Sequence, residues 1–189
     1  MKKIIVILFL SLVIYSCQPI EKNNQVVFDN NQFSKFNILS NSIEIIEIFE
    51  KKISSPYISH TLQITPLQRI TNWVKENFKA IGNENKFNVT ILDASLTQNQ
   101  FKNKDAKNFD EKNNFKYNLF YLVEFNLYDD SNNLISSVLV ETSRSTTSGL
   151  YISIQEKENI INDLIYQSLD DISNKSKDLI IRYMADFII

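Results

Sequence analysis

Alternating hydrophobic and polar residues mark the strands of this chain. Between residues 115 and 128 almost every second residue is apolar, which is the period of a β-strand with one buried face. Turn-forming residues 129–133 follow, and residues 134–145 return as a second strand, so the pair is predicted to form an antiparallel hairpin. Upstream, the alternation changes phase between Ile91 and Leu92, which predicts a strand with a bulge at that point.

Two other stretches have the period of a helix. Residues 65–68 (Thr-Pro-Leu-Gln) have the form of a capping box, and apolar residues then recur at steps of three and four as far as Ile81. This helix is predicted to end at Gly82, in the left-handed conformation that glycine adopts after a helix. Residues 153–156 (Ser-Ile-Gln-Glu) have the same form, and the apolar stripe from Ile161 to Tyr183 predicts a second helix of about 30 residues.

Two segments are ambiguous. Residues 42–53 are rich in isoleucine and favour a strand, although Ile45, Phe49 and Ile53 also recur at helical spacing. Residues 97–114 are polar and predict a long loop or a short helix around 105–112. The whole pattern predicts an α+β fold of order β-α-β-β-β-α. It is a two-layer sandwich in which two helices cover one face of a mostly antiparallel sheet of about four strands.

The first seventeen residues have the pattern of a bacterial lipoprotein signal. Lys2 and Lys3 precede an apolar run, residues 4–14, that is too short to span a bilayer, and Cys17 follows a small residue. Residues 1–16 are therefore predicted to be a signal peptide, and Cys17 the site of lipidation. Residues 17–40, polar and rich in asparagine, are predicted to be a tether, and residues 41–189 a single periplasmic domain.

Composition excludes several classes of function. The formal net charge is −2, loss of Lys2 and Lys3 would make it −4, and no basic cluster is denser than residues 101–107, which argues against a nucleic-acid partner. Cys17 is the only cysteine and His60 the only histidine, so an internal disulfide and a zinc site of several thiolates are excluded. The sequence therefore predicts no metal and no cofactor.

The remaining polar residues favour structural roles over catalysis. Asp129 and Asp130 are adjacent, as are Asp170 and Asp171, and adjacent side chains point apart on a strand or helix instead of converging. Arg144 is predicted to form a structural ion pair across the hairpin with Glu124 or Glu141. We therefore predict that the protein is not an enzyme.

Five short segments resemble a family of uncharacterised bacterial lipoproteins. They are residues 43–49, 67–82, 91–95 (Ile-Leu-Asp-Ala-Ser), 141–145 (Glu-Thr-Ser-Arg-Ser) and 156–169. The order of elements is also similar to that of small outer-membrane lipoproteins that serve as assembly or transport accessories, such as the lipopolysaccharide-assembly lipoprotein. Neither resemblance implies an activity or catalytic residues, because one fold serves many functions.

The leading functional hypothesis is a non-enzymatic, lipid-anchored module that binds another component of the cell envelope. Sorting to the outer membrane is expected because Gln18 and Pro19 follow the cysteine where aspartate often marks inner-membrane retention. The alternative is a carrier that holds a lipid or other apolar ligand between helices and sheet, suggested by the aromatic residues of 115–125.

The second helix suggests where a partner would bind. Its apolar stripe is longer than a sheet of ordinary strands covers, so Leu179, Tyr183 and Phe187 are predicted to project as an apolar end. This end would contact a partner protein, a second copy or the membrane surface. Alternatively, the long hairpin covers it.

Overall fold

The computed structural model describes residues 28–29, 32–104 and 112–189. The predicted signal peptide and Cys17 lie outside these residues. Two short 3-10 turns, Ser59–Thr61 and Ala185–Phe187, accompany the regular elements. In chain order these are β1 (Phe36–Ile38), β2 (Ser42–Glu47), α1 (Pro66–Asn77), β3 (Phe78–Ala80), β4 (Lys86–Lys102), β5 (Asn113–Tyr128), β6 (Leu134–Gly149) and α2 (Ile154–Tyr183).

The main sheet has four strands in the order β2-β4-β5-β6. Strands β4, β5 and β6 form an antiparallel meander, and β2 runs parallel to β4 because α1 makes the crossover between them. Both helices pack on one face of the sheet, so the predicted two-layer α+β fold is confirmed. Strands β1 and β3, which form a separate two-stranded parallel sheet, were not predicted.

Strand β5 supplies the centre of the core, as its alternation predicts. Every second side chain along it is fully buried against the helices: Tyr117, Leu119, Tyr121, Val123, Phe125 and Leu127. Burial of each large apolar side chain contributes about 1.5–3 kcal/mol, so this strand alone accounts for a large part of the hydrophobic stabilisation. The register of β4 against β5 shifts between Ile91 and Asp93, which confirms the predicted bulge.

Helix α1 begins as predicted but ends earlier. Thr65 and Gln68 form the capping box, with Pro66 in the first turn. The helix ends at Asn77, and Phe78 begins β3, where its ring stacks on Phe36 at 4.3 Å. Phe78 is therefore buried in a strand and not on the predicted helix face, and Ile81, predicted on that face, is 46% exposed.

Gly82 has a different role from the predicted one. It does not have a positive φ, so it is not the left-handed residue of a helix end. A Cβ atom at this position would lie 2.8 Å from the backbone of both Leu39 and Ser40. Gly82 is needed because two backbone segments pass each other without room for a side chain.

The C-terminal residues do not project. Helix α2 has the predicted 30 residues, but at its end Ile180 and Met184 are buried and the chain then turns back to β1. The backbone N–H of Leu39 donates to the carbonyl of Phe187 at 2.8 Å, and Ile189 N–H donates to Asn37 at 3.0 Å. The prediction of a projecting apolar end is therefore wrong for Phe187.

Three predicted boundaries also change. Phe33 and β1 belong to the core, so the folded domain starts before residue 41 and the predicted tether is shorter than 17–40. Strand β2 ends at Glu47, well before residue 53. Strand β4 extends to Lys102, and β5 begins at Asn113. Most of the described part of the predicted 97–114 loop is therefore strand, while residues 105–111 lie outside the described ranges.

Within residues 28–29, 32–104 and 112–189, no helix combines the length and the apolar character that are needed to cross a membrane.

Candidate protein-binding site

The outer edge of β6 is the most open backbone surface of the sheet. Strand β6 pairs with β5 along one side, and no described strand lies along its other side. With 16 residues at about 3.3 Å each, this edge is about 53 Å long, whereas most strands of globular proteins have 3–10 residues. An unpaired edge of this length presents a row of N–H and C=O groups that another strand can bond.

One hydrogen bond identifies the residues that face outward. Lys175 of α2 donates from Nζ to the carbonyl oxygen of Glu141 at 3.0 Å, which indicates that this carbonyl faces the open side of β6 and is not bonded to β5. Alternate residues of an antiparallel strand direct their backbone groups to the same side, so the odd-numbered residues from Ser137 to Thr147 offer theirs at the open edge. Residues 134–149 contain no proline and no lysine, which are common means of blocking an edge.

A groove of about 360 Å³ runs between this edge and the C-terminal half of α2. Its apolar residues include Leu139, which is 54% exposed, and its charged residues comprise two of each sign. The groove is lined by Leu139, Val140, Glu141, Lys175, Asp178, Leu179 and Arg182. We call the open edge of β6 together with this groove the edge site.

Two of the three predicted partner-contact residues lie at or beside the edge site. Leu179 lines the groove, and Tyr183 is 59% exposed, with its carbonyl accepting a hydrogen bond from the Ser136 hydroxyl at 3.0 Å. Phe187 lies elsewhere, beside Leu39 and Gly82. The helical period revealed the helix side of the site but not the strand edge, because a strand's position in the sheet depends on distant parts of the chain.

The predicted partner of Arg144 is wrong. Its guanidinium donates two hydrogen bonds to Asp171 of α2, at 2.8 and 3.0 Å, and this pairing raises the pKa of Arg144. Glu124 and Glu141 lie on the outer face of the sheet, whereas Arg144 points inward toward the helices. Because side chains alternate between the faces of a strand, the position of Arg144 three residues after Glu141 puts the two on opposite faces.

The N-terminal described residues are held between the two helices. The ring of Phe28 lies 3.5 Å from the guanidinium carbon of Arg69 and meets Tyr166 edge-on at 5.7 Å. Burial lowers the pKa of Arg69, and a cation–π contact is strongest for such a partly desolvated cation. Gln32 then accepts a hydrogen bond from the hydroxyl of Tyr166, so the chain enters the domain on its helical side.

The aromatic residues that suggested a lipid carrier are mostly packing residues. Tyr117, Tyr121 and Phe125 are fully buried between helices and sheet, while Phe120 is on the outer face. The hydroxyl of Tyr121 donates a hydrogen bond to the carbonyl of Pro66 at 3.2 Å, and burial raises the pKa of Tyr121. These three rings fill the interface between the helices and the sheet.

The acidic pairs also have structural roles. Asp129 caps the β5–β6 turn by accepting hydrogen bonds from Ser131 N–H and from the backbone and side chain of Asn133, and these bonds lower its pKa. Asp130 accepts from Asn85 N–H at 3.2 Å. His60 is exposed in the 3-10 turn before α1. Among the described residues, no group of three or more His, Cys, Asp or Glu side chains is placed to hold a metal ion.

Comparison with known proteins identifies no family. No protein-family model matches the chain, and no curated protein matches it. The resemblance to an uncharacterised lipoprotein family therefore stays a prediction.

Three solved structures that are similar to the chain are bacterial lipoproteins. A minor lipoprotein from Acinetobacter baumannii has a TM-score of 0.41 and 9% identity, with 77% of this chain and 96% of that one covered. Rare lipoprotein B from Shewanella oneidensis has a TM-score of 0.37 and 12% identity, covering 75% and 98%. A candidate lipoprotein from Caulobacter crescentus has a TM-score of 0.36 and 12% identity, covering 76% and 90%. These scores are too low to establish a shared fold or function.

Proposed function

We propose that this protein is a lipid-anchored module of the bacterial cell envelope that binds another envelope protein and catalyses no reaction. The N-terminal pattern supports the anchor, since a short apolar run followed by Cys17 is typical of a lipoprotein signal. One acyl chain binds a membrane only marginally and two or more bind it stably, so an anchor of this kind holds the domain at the surface. We place it on the periplasmic side of the outer membrane.

The open edge of β6 is the observation that carries the binding function. Buried backbone polar groups are nearly always paired, and an edge of 16 residues has its partner supplied either by water or by another strand. The groove beside it adds exposed apolar area from Leu139 and Leu179, with charged residues around it. An apolar centre inside a polar rim is the usual anatomy of a protein–protein interface.

The position of Phe28 limits how far the domain lies from the membrane. Ten residues, 18–27, separate Cys17 from Phe28, and a fully extended chain of that length spans at most about 36 Å. Because Phe28 is held by Arg69 and Tyr166, the tether starts from the helical side of the domain.

Photocrosslinking in intact envelopes tests the binding function. A photoreactive phenylalanine analogue replaces Leu139 in the full chain, and the matched control carries it at Lys75, an exposed position of α1 far from β6. We expect ultraviolet light to give a discrete protein adduct from position 139 and none from position 75. Equal labelling at both positions, or no adduct at position 139, would contradict the proposal.

The anchor is tested separately by the variant Cys17→Ser. We expect this variant to lose incorporation of a clickable fatty acid, because Cys17 is the only thiol in the chain. Equal labelling of the variant and the native chain would exclude lipidation at this residue. Sedimentation of the native protein with inner-membrane vesicles on a sucrose gradient would contradict its placement in the outer membrane.

A further inference from the structure

We propose that the strand that completes β6 is β6 of a second copy of this chain. The two strands would run antiparallel about a two-fold axis and join the two four-stranded sheets into one of eight strands. This inference rests on the proposed function and specifies it: the envelope protein that the edge site binds is a second molecule of this chain.

Length is the first argument for a second copy. The open edge of β6 has 16 residues, whereas the usual strand of a globular protein has about five or six. A typical strand of another protein would leave most of the edge unpaired. A second β6 has the required length, and in each copy it is the long strand whose outer side is open within the described part of the sheet.

Charge and side-chain size are the second argument. If Thr142 lies opposite the partner's Thr142, then 15 residues pair, and Glu141 lies opposite the partner's Ser143. Leu139 then lies opposite the partner's Ser145. No two like charges are directly opposite, and serine and threonine form much of the outward row, which permits close approach and side-chain hydrogen bonds between strands.

Symmetry is the third argument, because pairing through β6 gives a closed dimer. An antiparallel pair of identical edges uses the same surface on both copies, which is the isologous contact of a two-fold dimer. The other edge of the sheet, β2, has six residues and carries Glu44 and Glu47, so it offers a short, acidic strand. Two copies therefore join through β6 and the sheet does not extend into a filament.

Pairing requires one local change in the edge site. The side chain of Lys175, which donates to the carbonyl of Glu141, must release that oxygen to the incoming strand. Lys175 is exposed and has a flexible stem, so it can move to solvent. The second strand would then cover Leu139 and the groove residue Leu179.

The test compares three variants of the full-length lipidated chain in detergent, with protein mass measured by multi-angle light scattering. Ser143→Glu places a glutamate opposite the partner's Glu141, and we expect the dissociation constant of the dimer to rise at least tenfold. Adding Glu141→Lys to it restores an opposite-charge pair, and we expect the dimer to return. Asn118→Glu puts the same charge on the same face of the sheet, on β5 and away from the edge, and we expect no change.

Folding of each variant is checked by the fluorescence of Trp73, the only tryptophan, which is fully buried. A native chain that stays monomeric at micromolar concentration would overturn the proposal. So would a folded Ser143→Glu variant that dimerises as tightly as the native chain, or a double variant that is not rescued.

The photoprobe at Leu139 separates this inference from the proposed function. An adduct of twice the chain's mass that contains only this chain supports the second copy. An adduct with a different envelope protein overturns the second copy and leaves the proposed function standing. The absence of any adduct contradicts both.

Discussion

Replacement of Gly82 by alanine tests how the small β1–β3 sheet closes the domain. In the native chain Ile81 N–H donates to Ile38 at 2.9 Å, and Gly82 N–H donates to Ser40 at 3.0 Å. The new Cβ would lie 2.8 Å from the Leu39 carbonyl carbon and from the Ser40 nitrogen. Both neighbours are backbone atoms, so relief of the overlap requires one chain segment to move.

The expected loss of stability follows from these contacts. Overpacking in a close-packed region costs about 1–3 kcal/mol, and each weakened backbone hydrogen bond adds up to about 1 kcal/mol. We expect Gly82→Ala to lower the free energy of unfolding by about 2–4 kcal/mol. For a domain of this size each kcal/mol lowers the melting temperature by about 2–4 °C. The measurement is urea unfolding followed by Trp73 fluorescence, with Asn83→Ala, an exposed neighbour, as the control.

The variant Gly82→Asn separates close approach from backbone conformation. If Gly82 were a left-handed helix end, asparagine would be tolerated better than alanine, because asparagine adopts that conformation more readily. If space is the constraint, the larger asparagine is at least as destabilising as alanine. A Gly82→Asn variant that is clearly more stable than Gly82→Ala would therefore refute close backbone approach as the reason for glycine at this position.

Two further predictions concern polar groups of the core and the hairpin turn. Tyr121→Phe should lower the free energy of unfolding by about 1 kcal/mol, because the buried hydrogen bond from the Tyr121 hydroxyl to the carbonyl of Pro66 is lost; unchanged urea unfolding would contradict this. Asp129 has a pKa below its ordinary value in the folded state, so its contribution to stability is complete above the unfolded pKa of about 3.9 and is lost as pH falls through the folded value. Carboxyl NMR should show Asp129 titrating below pH 3.9, and in Asn133→Ala its pKa should return toward that value; no such return would show that the turn is not the cause.

Local signals in the sequence predicted the larger elements. The β5–β6 hairpin, the bulge in β4 and the start of both helices each depend on residues that are near one another in the chain. A capping box satisfies N–H groups of its own helix, so Thr65 and Gln68 identify the start of α1 without knowledge of the rest of the chain. The alternation along β5 is equally local, because successive side chains of a strand point to opposite faces.

The small β1–β3 sheet could not be predicted in this way. Each strand has three residues, which is too short for a period to be recognised, and the two are about 40 positions apart in the chain. Phe78 also falls at helical spacing from Val74, so the pattern continues the helix where the structure begins a strand. Pairing with Phe36 and stacking on its ring decide the conformation, and neither is visible near Phe78 in the sequence.

The ion pair of Arg144 was predictable in part. Glu141 is three positions from Arg144 and therefore lies on the opposite face of β6, which excludes it as the partner of Arg144. The acidic residues of α2 remain, because α2 covers the inward face of β6. The choice of Asp171 over its neighbour Asp170 depends on how the helix is rotated about its axis. Both side chains of the pair are more than a third exposed, so the pair orients α2 on β6 more than it stabilises the fold.

The open edge of β6 could not be predicted from the sequence, for a different reason. Alternation identifies a strand but not its neighbours, and β6 is an edge only because α2 turns beneath the sheet and supplies no further strand. What the sequence does show is that β6 lacks the proline and lysine residues that usually protect such an edge. The 16 residues of β6 include only two charged side chains, and one of them is already paired with Asp171. For this reason the search for a partner should begin at β6.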